Sequence, residues 1–295
     1  VLQVPAIPRP GETVLCPGYA THAGGKGNNQ AVAAAKAGAA VAMAGSVGRD
    51  GFGGALLDNL HAHGIDTAAI RRADRPTGIA TICVDAGGEN AIAVASGANL
   101  DADAGLVPAD RLGPGTLVVL QMEVPPEQNW ALIRRAKAAG ARCLLNVAPA
   151  APVPRAALEA LDVLVVNEIE AAMVADHLGL GGEGPEATAR ALAQAAGLDC
   201  VVTLGGDGVL AAQPGGVWRL SAMAIEPVDT TGAGDAFTGV LAAGLDAGLD
   251  LAPALHRAGV GAALACLALG AQESLPTATA IDAALDRLPP PEKLA

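Results

Sequence analysis

Aromatic residues are scarce in this chain of 295 residues, which contains two Trp, one Tyr and two Phe. So few rings argue against the stacking platforms on which single-stranded nucleic acids bind. Basic residues are also few: the chain has 18 Lys and Arg but 30 Asp and Glu, and its net charge is −12. This balance argues against a nucleic-acid partner and against an anionic membrane surface. It leaves room for a local basic pocket that binds a phosphorylated ligand.

Several known signatures are absent as well. The five cysteines show no Cys-x-x-Cys or Cys/His spacing, so we expect buried thiols in a reducing cytoplasm rather than metal ligands. The longest uncharged apolar run, residues 258–271, is too short to span a bilayer. Neither a Walker A loop nor an early Gly-x-Gly-x-x-Gly occurs, so a dinucleotide-binding oxidoreductase is poorly supported. With 52% apolar residues, the chain can bury a large core of Ala, Val, Leu and Ile.

Short apolar runs alternate with helical patterns from residue 116 onward. The runs at 116–122, 142–147, 162–166 and 200–204 are apolar on both faces, and helical patterns lie between most of them. This alternation predicts an α/β fold with a parallel sheet covered by helices.

Other segments carry local signals. Residues 77–84 and 90–96 flank a Gly-rich turn and predict a hairpin. Residues 13–22 and 223–228 are expected to be extended. The last helices are expected at about 252–269 and 279–288.

Polar residues follow the predicted strands. Glu123 follows the first strand, Asn146 ends the second, Asn167 and Glu170 follow the third, and a Thr-Leu-Gly-Gly-Asp-Gly loop at 203–208 ends the fourth. Because ligands of open α/β sheets bind beyond the carboxyl ends of the strands, we expect a site at this edge.

The sequence Asp-Thr-Thr-Gly-Ala-Gly-Asp at residues 229–235 opens an apolar helix. Gly232, Ala233 and Gly234 would place unpaired backbone N–H groups at its positive end, which suits a phosphate. Asp235, in the first turn, could accept a proton from an attacking hydroxyl. Taken alone, so short a glycine pattern is more often a tight turn before a helix. The sequence Gly-Gly-Lys-Gly-Asn-Asn-Gln at 24–30 places a cation and two amides at a helix start, where they can bind sugar hydroxyls or a phosphate. It could equally be a Gly-rich turn before a helix capped by Asn.

Together the motifs resemble the ribokinase-like (PfkB) carbohydrate kinases. Besides the motifs at 24–31, 203–208 and 229–235, Leu-Asn-Val-Ala-Pro at 145–149 and Val-Asn-Glu-Ile-Glu at 166–170 occur in the family's order. The resemblance covers nearly the whole chain. It implies a three-layer α/β/α core with a mostly parallel central sheet and a small β-sheet lid. It also implies an ATP-dependent enzyme that phosphorylates the primary (5-) hydroxyl of D-ribose.

The resemblance implies a role for each motif residue. Asp235 would be the base, in front of an anion hole formed by Gly232, Ala233 and Gly234. The sugar would be held by Gly25, Lys26, Asn29, Glu123 and Asp235. ATP would be bound by Asn167, Gly234 and the loop residues Thr203, Leu204, Gly205, Gly206, Asp207 and Gly208. Glu170 would bind Mg²⁺ through water. The activating K⁺ would be held by Asp229, Thr231, Ala265, Ala268, Gly270 and Ser274.

The resemblance also implies an organisation for the chain. Residues 1–295 would form one kinase domain, with a lid built from about 1–22 and 77–97 that pairs with a second subunit to give a homodimer. In the family, a first core strand carrying an Asn and an Asp for the sugar precedes the segment that here starts at Val1. We therefore expect a further core strand upstream. Gly259 stands where related kinases often place a His or Asn near the adenine, so adenine contacts are expected to differ.

Two alternatives remain open from the sequence. The substrate could be deoxyribose, fructose, 2-keto-3-deoxygluconate or a nucleoside, although a nucleoside would need an aromatic slot that this chain hardly offers. The chain could also be a non-catalytic sugar or nucleotide sensor. The intact Gly-Ala-Gly-Asp sequence argues against a sensor, because a sensor need not keep the catalytic base.

Overall fold

The computed structural model describes residues 1–294. Its helices are α1 (Lys26–Lys36), α2 (Gly51–Ala62), α3 (Pro126–Ala138), α4 (Arg155–Leu158), α5 (Glu168–His177), α6 (Gly184–Ala196), α7 (Ala233–Asp246), α8 (Leu251–Ala265) and α9 (Ala278–Ala284). Its strands are β1 (Leu2–Gln3), β2 (Ala42–Gly48), β3 (Asp66–Ala73), β4 (Ile79–Val84), β5 (Asn90–Ala95), β6 (Leu117–Leu120), β7 (Arg142–Asn146), β8 (Val163–Asn167), β9 (Asp199–Thr203), β10 (Val209–Gln213), β11 (Gly216–Leu220) and β12 (Glu292–Leu294).

A seven-stranded sheet in the order β12-β11-β10-β9-β8-β7-β6 forms the centre of the fold. The strands from β6 to β9 are parallel to one another, whereas β10, β11 and β12 are added in antiparallel pairings. The predicted α/β class is confirmed, and the sheet is more mixed than a mostly parallel sheet would be. The three antiparallel strands were not predicted.

Both faces of this sheet are buried, because alternate residues of each strand enter different cores. Leu145 and Leu164 pack on the face covered by α3, α5 and α6. Their neighbours Leu144 and Val165 pack on the opposite face, against α7 and α8. Such continuous Val and Leu runs are typical of parallel strands with helices on both sides.

Two smaller sheets stand beside the central one. Strands β2 and β3 form a parallel pair, and β1, β4 and β5 form a three-stranded sheet whose β4–β5 hairpin agrees with the predicted turn. Strand β6 is at the edge of the central sheet, and β2 pairs with β3 alone among the described residues. The expected further core strand stays a prediction.

Residues 13–22 contribute only an isolated bridge from Tyr19 to Leu2, and residues 223–228 join no sheet, so their extended conformation stays a prediction. Two other local predictions are wrong. Helix α8 ends at Ala265, where residues 266–274 turn back toward Asp229. Cys16 and Cys83 are only partly buried, because they lie in the N-terminal segment and in β4 rather than in the core.

The remaining thiols behave as expected. Cys143, Cys200 and Cys266 are buried and all five cysteines are free. Burial raises the pKa of the Cys200 thiol to about 12, which leaves it unreactive near neutral pH. None of the helices in residues 1–294 combines the length and the apolar character that crossing a bilayer requires.

Candidate active site

Helix α7 begins without a side-chain cap. Its N-cap residue, Gly232, has φ 78°, and a Cβ there would lie 3.1 Å from the Cβ of Ala271. Glycine is therefore required both by the left-handed backbone and by the close approach of the neighbouring loop. Ala233 N donates to Thr230 O, and the exposed Gly234 follows in the first turn. The N–H groups of a first turn lack intrahelical acceptors, so this start can receive an anion.

Asp235 is buried in that first turn, with 6% of its surface exposed. Its Oδ2 accepts a hydrogen bond from Asn29 Nδ2 at 2.9 Å, and its Oδ1 accepts one from Gln30 Nε2 at 3.0 Å. Both amides come from α1, which packs along α7 because Gly239 lets the two backbones approach closely. A buried carboxylate is thus oriented by two neutral donors.

The start of α1 carries the predicted sugar-binding residues. Gly25 is its N-cap, with φ 90°, and Lys26 N donates to Glu123 Oε2 at 2.8 Å. A Cβ at Gly25 would lie 3.7 Å from the same carboxylate oxygen. The structure therefore brings together Gly25, Lys26, Asn29, Glu123 and Asp235.

Asn146 connects this group to the sheet. It accepts a hydrogen bond from Gln30 Nε2 at 3.0 Å and donates to Val165 O. Because Gln30 also donates to Asp235, the end of β7 helps to fix the position of the carboxylate.

The start of α5 is closed by its own side chains. Asn167 Oδ1 accepts from Glu170 N, and Glu170 Oε2 accepts from Asn167 N, both at 2.8 Å, which is a capping box. Burial raises the pKa of the Glu170 carboxyl, whereas the Asn167 N–H and the nearby positive charge of Lys26 oppose that rise.

The predicted nucleotide loop lies beside Asn167. Thr203 is the direct neighbour of Asn167 in the sheet, and its hydroxyl donates to Val166 O. Leu204 N donates to Gly208 O and closes the loop, while Gly205, Gly206 and Asp207 are exposed. The structure links this loop to Asn167 and thereby to the edge at which α5 begins.

The predicted K⁺ residues fall on two adjacent loops. Asp229 accepts from Thr231 N at 2.9 Å and from Gly270 N at 3.0 Å, and Ser274 Oγ donates to Gly270 O. Burial opposes ionisation of Asp229, yet these hydrogen bonds outweigh it and lower the pKa. Ala265 ends α8 in the core, and Ala268 lies exposed on the loop that follows.

The donor sets suit different cations. Asp229, the Gly270 carbonyl and the Ser274 hydroxyl form an oxygen set with a single negative charge, which suits a monovalent cation. Glu170 keeps its second carboxylate oxygen beyond the capping bond, and carboxylates with water are the usual Mg²⁺ partners. No cluster of three or more His, Cys, Asp or Glu side chains suited to a metal occurs within residues 1–294.

Sequence reasoning missed the role of three amides around Asp235. Gln30 lies within the motif at 24–30 but received no role, and Gln272 and Asn59 were not singled out. Gln272 is buried and donates to Asn29 Oδ1, while Asn59 donates to Gln272. The available signal was a Gln directly after the apolar and small residues 266–271.

Comparison with known proteins gives a consistent result. Residues 2–278 match the description "pfkB family carbohydrate kinase". The chain is 34% identical to a ribokinase of Bacillus subtilis over 281 residues, 93% of this chain and 92% of the relative. It is 33% identical to a deoxyribokinase of Salmonella typhimurium over 285 residues, 92% of this chain and 90% of the relative.

A solved structure shows the same fold. The ribokinase of Arabidopsis thaliana, complexed with ribose and ATP, superposes with a TM-score of 0.86 at 29% identity. The match covers 96% of this chain and 94% of that one.

Proposed function

Because the chain belongs to the pfkB family of carbohydrate kinases, we propose that it transfers the γ-phosphoryl group of ATP to the 5-hydroxyl of D-ribose. The products are ribose 5-phosphate and ADP. The observation that carries this proposal is the open start of α7, where the buried, amide-oriented Asp235 lies beside N–H groups that can receive an anion.

Asp235 acts as the base. It accepts the proton of the 5-hydroxyl as that oxygen forms a bond to the γ-phosphorus. The bond from the γ-phosphorus to the β,γ-bridging oxygen breaks, and ADP leaves with the electron pair. The N–H groups of Gly232 and Gly234 and the Lys26 ammonium offset the negative charge that develops on the transferring phosphoryl group, whereas the Ala233 N–H already donates to Thr230 O.

The sugar lies between α1 and α7 in this proposal. Gly25 lets the sugar approach the backbone, and Lys26, Asn29 and Glu123 bind hydroxyls. Asn29 Nδ2 has two hydrogens, and only one is needed for Asp235. The second is free for the sugar and would bring its hydroxyl close to the base.

The nucleotide lies on the other side of the transferring group. Residues 203–208 and Asn167 contact ATP, and Glu170 would hold Mg²⁺ through water. Mg²⁺ would neutralise phosphate charge. Asp229 and the loop from 265 to 274 would hold K⁺, which would order the start of α7 through Gly232 and its neighbour Ala271.

We propose that β1, β4 and β5 form a lid that also serves as a dimer interface. The β5 side chains Ile92 and Val94 are 57% and 64% exposed, on a face shared with Ile82 and Ala80. An exposed apolar sheet face favours burial against a second copy. In sedimentation experiments the wild type should be a dimer and Val94→Lys a monomer. A monomeric wild type, or a dimeric Val94→Lys variant, would contradict this.

ATP consumption and free thiols fit a cytoplasmic location.

The identity of the sugar substrate needs its own test, because the relatives named above include a deoxyribokinase. The deciding experiment measures ADP release from Mg·ATP in K⁺ buffer with D-ribose, deoxyribose, fructose, 2-keto-3-deoxygluconate and nucleosides. Highest kcat/KM with D-ribose supports the proposal, whereas a higher value with another sugar replaces the substrate. Calorimetric sugar binding without ADP release would favour the sensor.

A further inference from the structure

A chain of three side-chain amides leads from the surface to Asp235. Asn59 Nδ2 donates to Gln272 Oε1 at 2.8 Å, Gln272 Nε2 donates to Asn29 Oδ1 at 2.9 Å, and Asn29 Nδ2 donates to Asp235 Oδ2 at 2.9 Å. Gln272 and Asn29 are 4% and 6% exposed, whereas Asn59 on α2 is only half-buried. Every amide donates in the direction of the carboxylate.

This direction is fixed by chemistry. Three amides in a row can hydrogen bond in either direction, because each has a donor end and an acceptor end. An ionised carboxylate has only acceptors, so Asn29 must turn its NH₂ group toward Asp235 and its carbonyl toward Gln272. Gln272 must then donate to Asn29 and accept from Asn59. The orientation of all three side chains is thus coupled to Asp235.

Gln272 is itself held by a separate contact. Lys36 Nζ donates to the backbone carbonyls of Gln272 and Leu275, at 3.1 and 2.9 Å. The loop carrying Gln272 is therefore tied to α1, the same helix that presents Asn29. With its backbone held in this way, Gln272 can change its hydrogen bonds mainly by rotating its side-chain amide.

We propose that Gln272 and Asn59 are positioning residues for phosphoryl transfer. They fix the amide of Asn29 with its donor toward Asp235, and so aim the free acceptor of the carboxylate at the sugar hydroxyl. The inference rests on the proposed role of Asp235 as base. Both residues reach Asp235 only through Asn29, so we expect their effect on kcat rather than on ATP binding.

Two nearly isosteric variants of Asn59 test the direction of the chain. At a pH of about 8, the Asp of Asn59→Asp is ionised and only accepts. We predict that Gln272 then turns to donate to it, that Asn29 turns to donate to Gln272, and that the carbonyl of Asn29 comes to face Asp235. The Leu of Asn59→Leu removes one hydrogen bond and leaves the direction unchanged. Because Asn59 is half-buried, both variants should fold.

We expect Asn59→Asp to lower kcat about tenfold and Asn59→Leu by less than about threefold, since small misplacement of a reacting group is costly. KM for ATP should stay the same in both. The pair Gln272→Glu and Gln272→Leu makes the same comparison of kcat between a carboxylate and an apolar side chain, at the residue next to Asn29. The control is Gln213→Leu, which removes an amide that donates to Asp199 at the opposite end of the strands and should leave kcat unchanged.

Equal loss of kcat in the Asp and Leu variants, or no loss in either, would overturn the inference. The side-chain amide NMR resonances of Asn29 give a readout that needs no turnover. They should shift strongly in Asn59→Asp and little in Asn59→Leu, and the opposite pattern also overturns it. If Asp235→Asn keeps its turnover while the resonances behave as expected, the base assignment fails and the amide chain stands.

Discussion

Helices α5 and α7 both begin at the carboxyl edge of the central sheet, yet their starts are built in opposite ways. At α5, Asn167 and Glu170 bond to each other's backbone N–H groups. At α7, Gly232 provides no side chain, and Asp235 is held by Asn29 and Gln30 from another helix rather than by its own first turn. A closed start stabilises its helix, whereas an open start keeps its donors for a ligand.

The comparison shows what an open start requires. Gly232 needs a left-handed backbone, and the burial of Asp235 needs amide donors supplied through tertiary structure. The start of α7 lacks the stabilisation of a side-chain cap. Contacts with α1 and with the loop carrying Ala271 hold it in place instead. The α5 start keeps its local stability and leaves one carboxylate oxygen of Glu170 outside the capping bond.

The largest effect is expected at the carboxylate of the open start. Asp235→Asn should lower kcat by about 10²–10⁴, the usual contribution of a general base, and leave ATP binding nearly unchanged. Steady-state ADP release and calorimetric ATP titration measure the two effects. Asp199→Asn, which alters a carboxylate at the other end of the strands, is the matched control. Near-normal turnover in Asp235→Asn would refute the base assignment.

A second effect is expected when a methyl group is added at Gly232, the N-cap of α7. Gly232→Ala should lower stability by about 1–2 kcal/mol, the cost of a left-handed non-glycine residue, and should also reduce kcat as the added Cβ meets Ala271. Gly197→Ala is the control, since Gly197 ends α6 with φ 70° in open space. Thermal unfolding should show a loss in both variants, and the loss should be at least as large in Gly232→Ala because its Cβ also meets Ala271. Unchanged kcat in Gly232→Ala would mean that the α7 start does not bind the transferring group.

A smaller effect is expected at the closed start. Asn167→Ala should cost about 1 kcal/mol of stability, as loss of an N-cap usually does, and should raise the Mg²⁺ concentration needed for half-maximal rate. Thr277→Ala removes the N-cap of α9 and serves as the control for stability alone. An identical Mg²⁺ dependence in the two variants would leave Asn167 as a structural cap only.

The smallest effect concerns a third helix start, which is closed by a carboxylate. Asp50 caps α2 and also binds Thr77, and hydrogen bonds from Thr77 and Gly53 lower its pKa to about 2. A depressed carboxyl pKa contributes stability above its ordinary pKa and loses it as pH falls toward the folded-state value. The melting temperature of wild type should therefore fall between about pH 4 and pH 2 more steeply than that of Asp50→Asn. Parallel curves would contradict this, and kcat at neutral pH should be similar in both.

The sequence was most informative where local pattern decides structure. Strands β6 to β9 were predicted from apolar runs, and residues 229–235 located the start of α7 within one residue. Strands β10 and β11 were missed although short turns at 204–208 and 214–215 join them to β9 and to each other, because no helix lies between them and the strand–helix alternation ends there. Strand β12 was missed because it pairs with β11 from more than 70 residues farther along the chain. At α5, the Asn-x-x-Glu spacing is a recognisable capping box, and this structural role accompanies the predicted metal role.

The site was predictable as a set of motifs but not as a network. Gln30 and Asp235 are 205 positions apart, and Gln272 meets Asn29 only because residues 266–274 fold back after α8. The direction of their hydrogen bonds depends on a carboxylate that only the tertiary structure brings near. Gly259 illustrates the same limit: a Cβ there would meet Leu220 at 2.6 Å, so its small size serves core packing.

The most direct test of the difference between the two helix starts is a crystal structure with ADP, Mg²⁺, D-ribose and a metal fluoride that mimics the transferring phosphoryl group. The account predicts that the fluoride lies at the start of α7, within hydrogen-bond distance of the Gly234 N–H, with the 5-hydroxyl against Asp235. A fluoride bound at the start of α5, or a 5-hydroxyl directed away from Asp235, would contradict it.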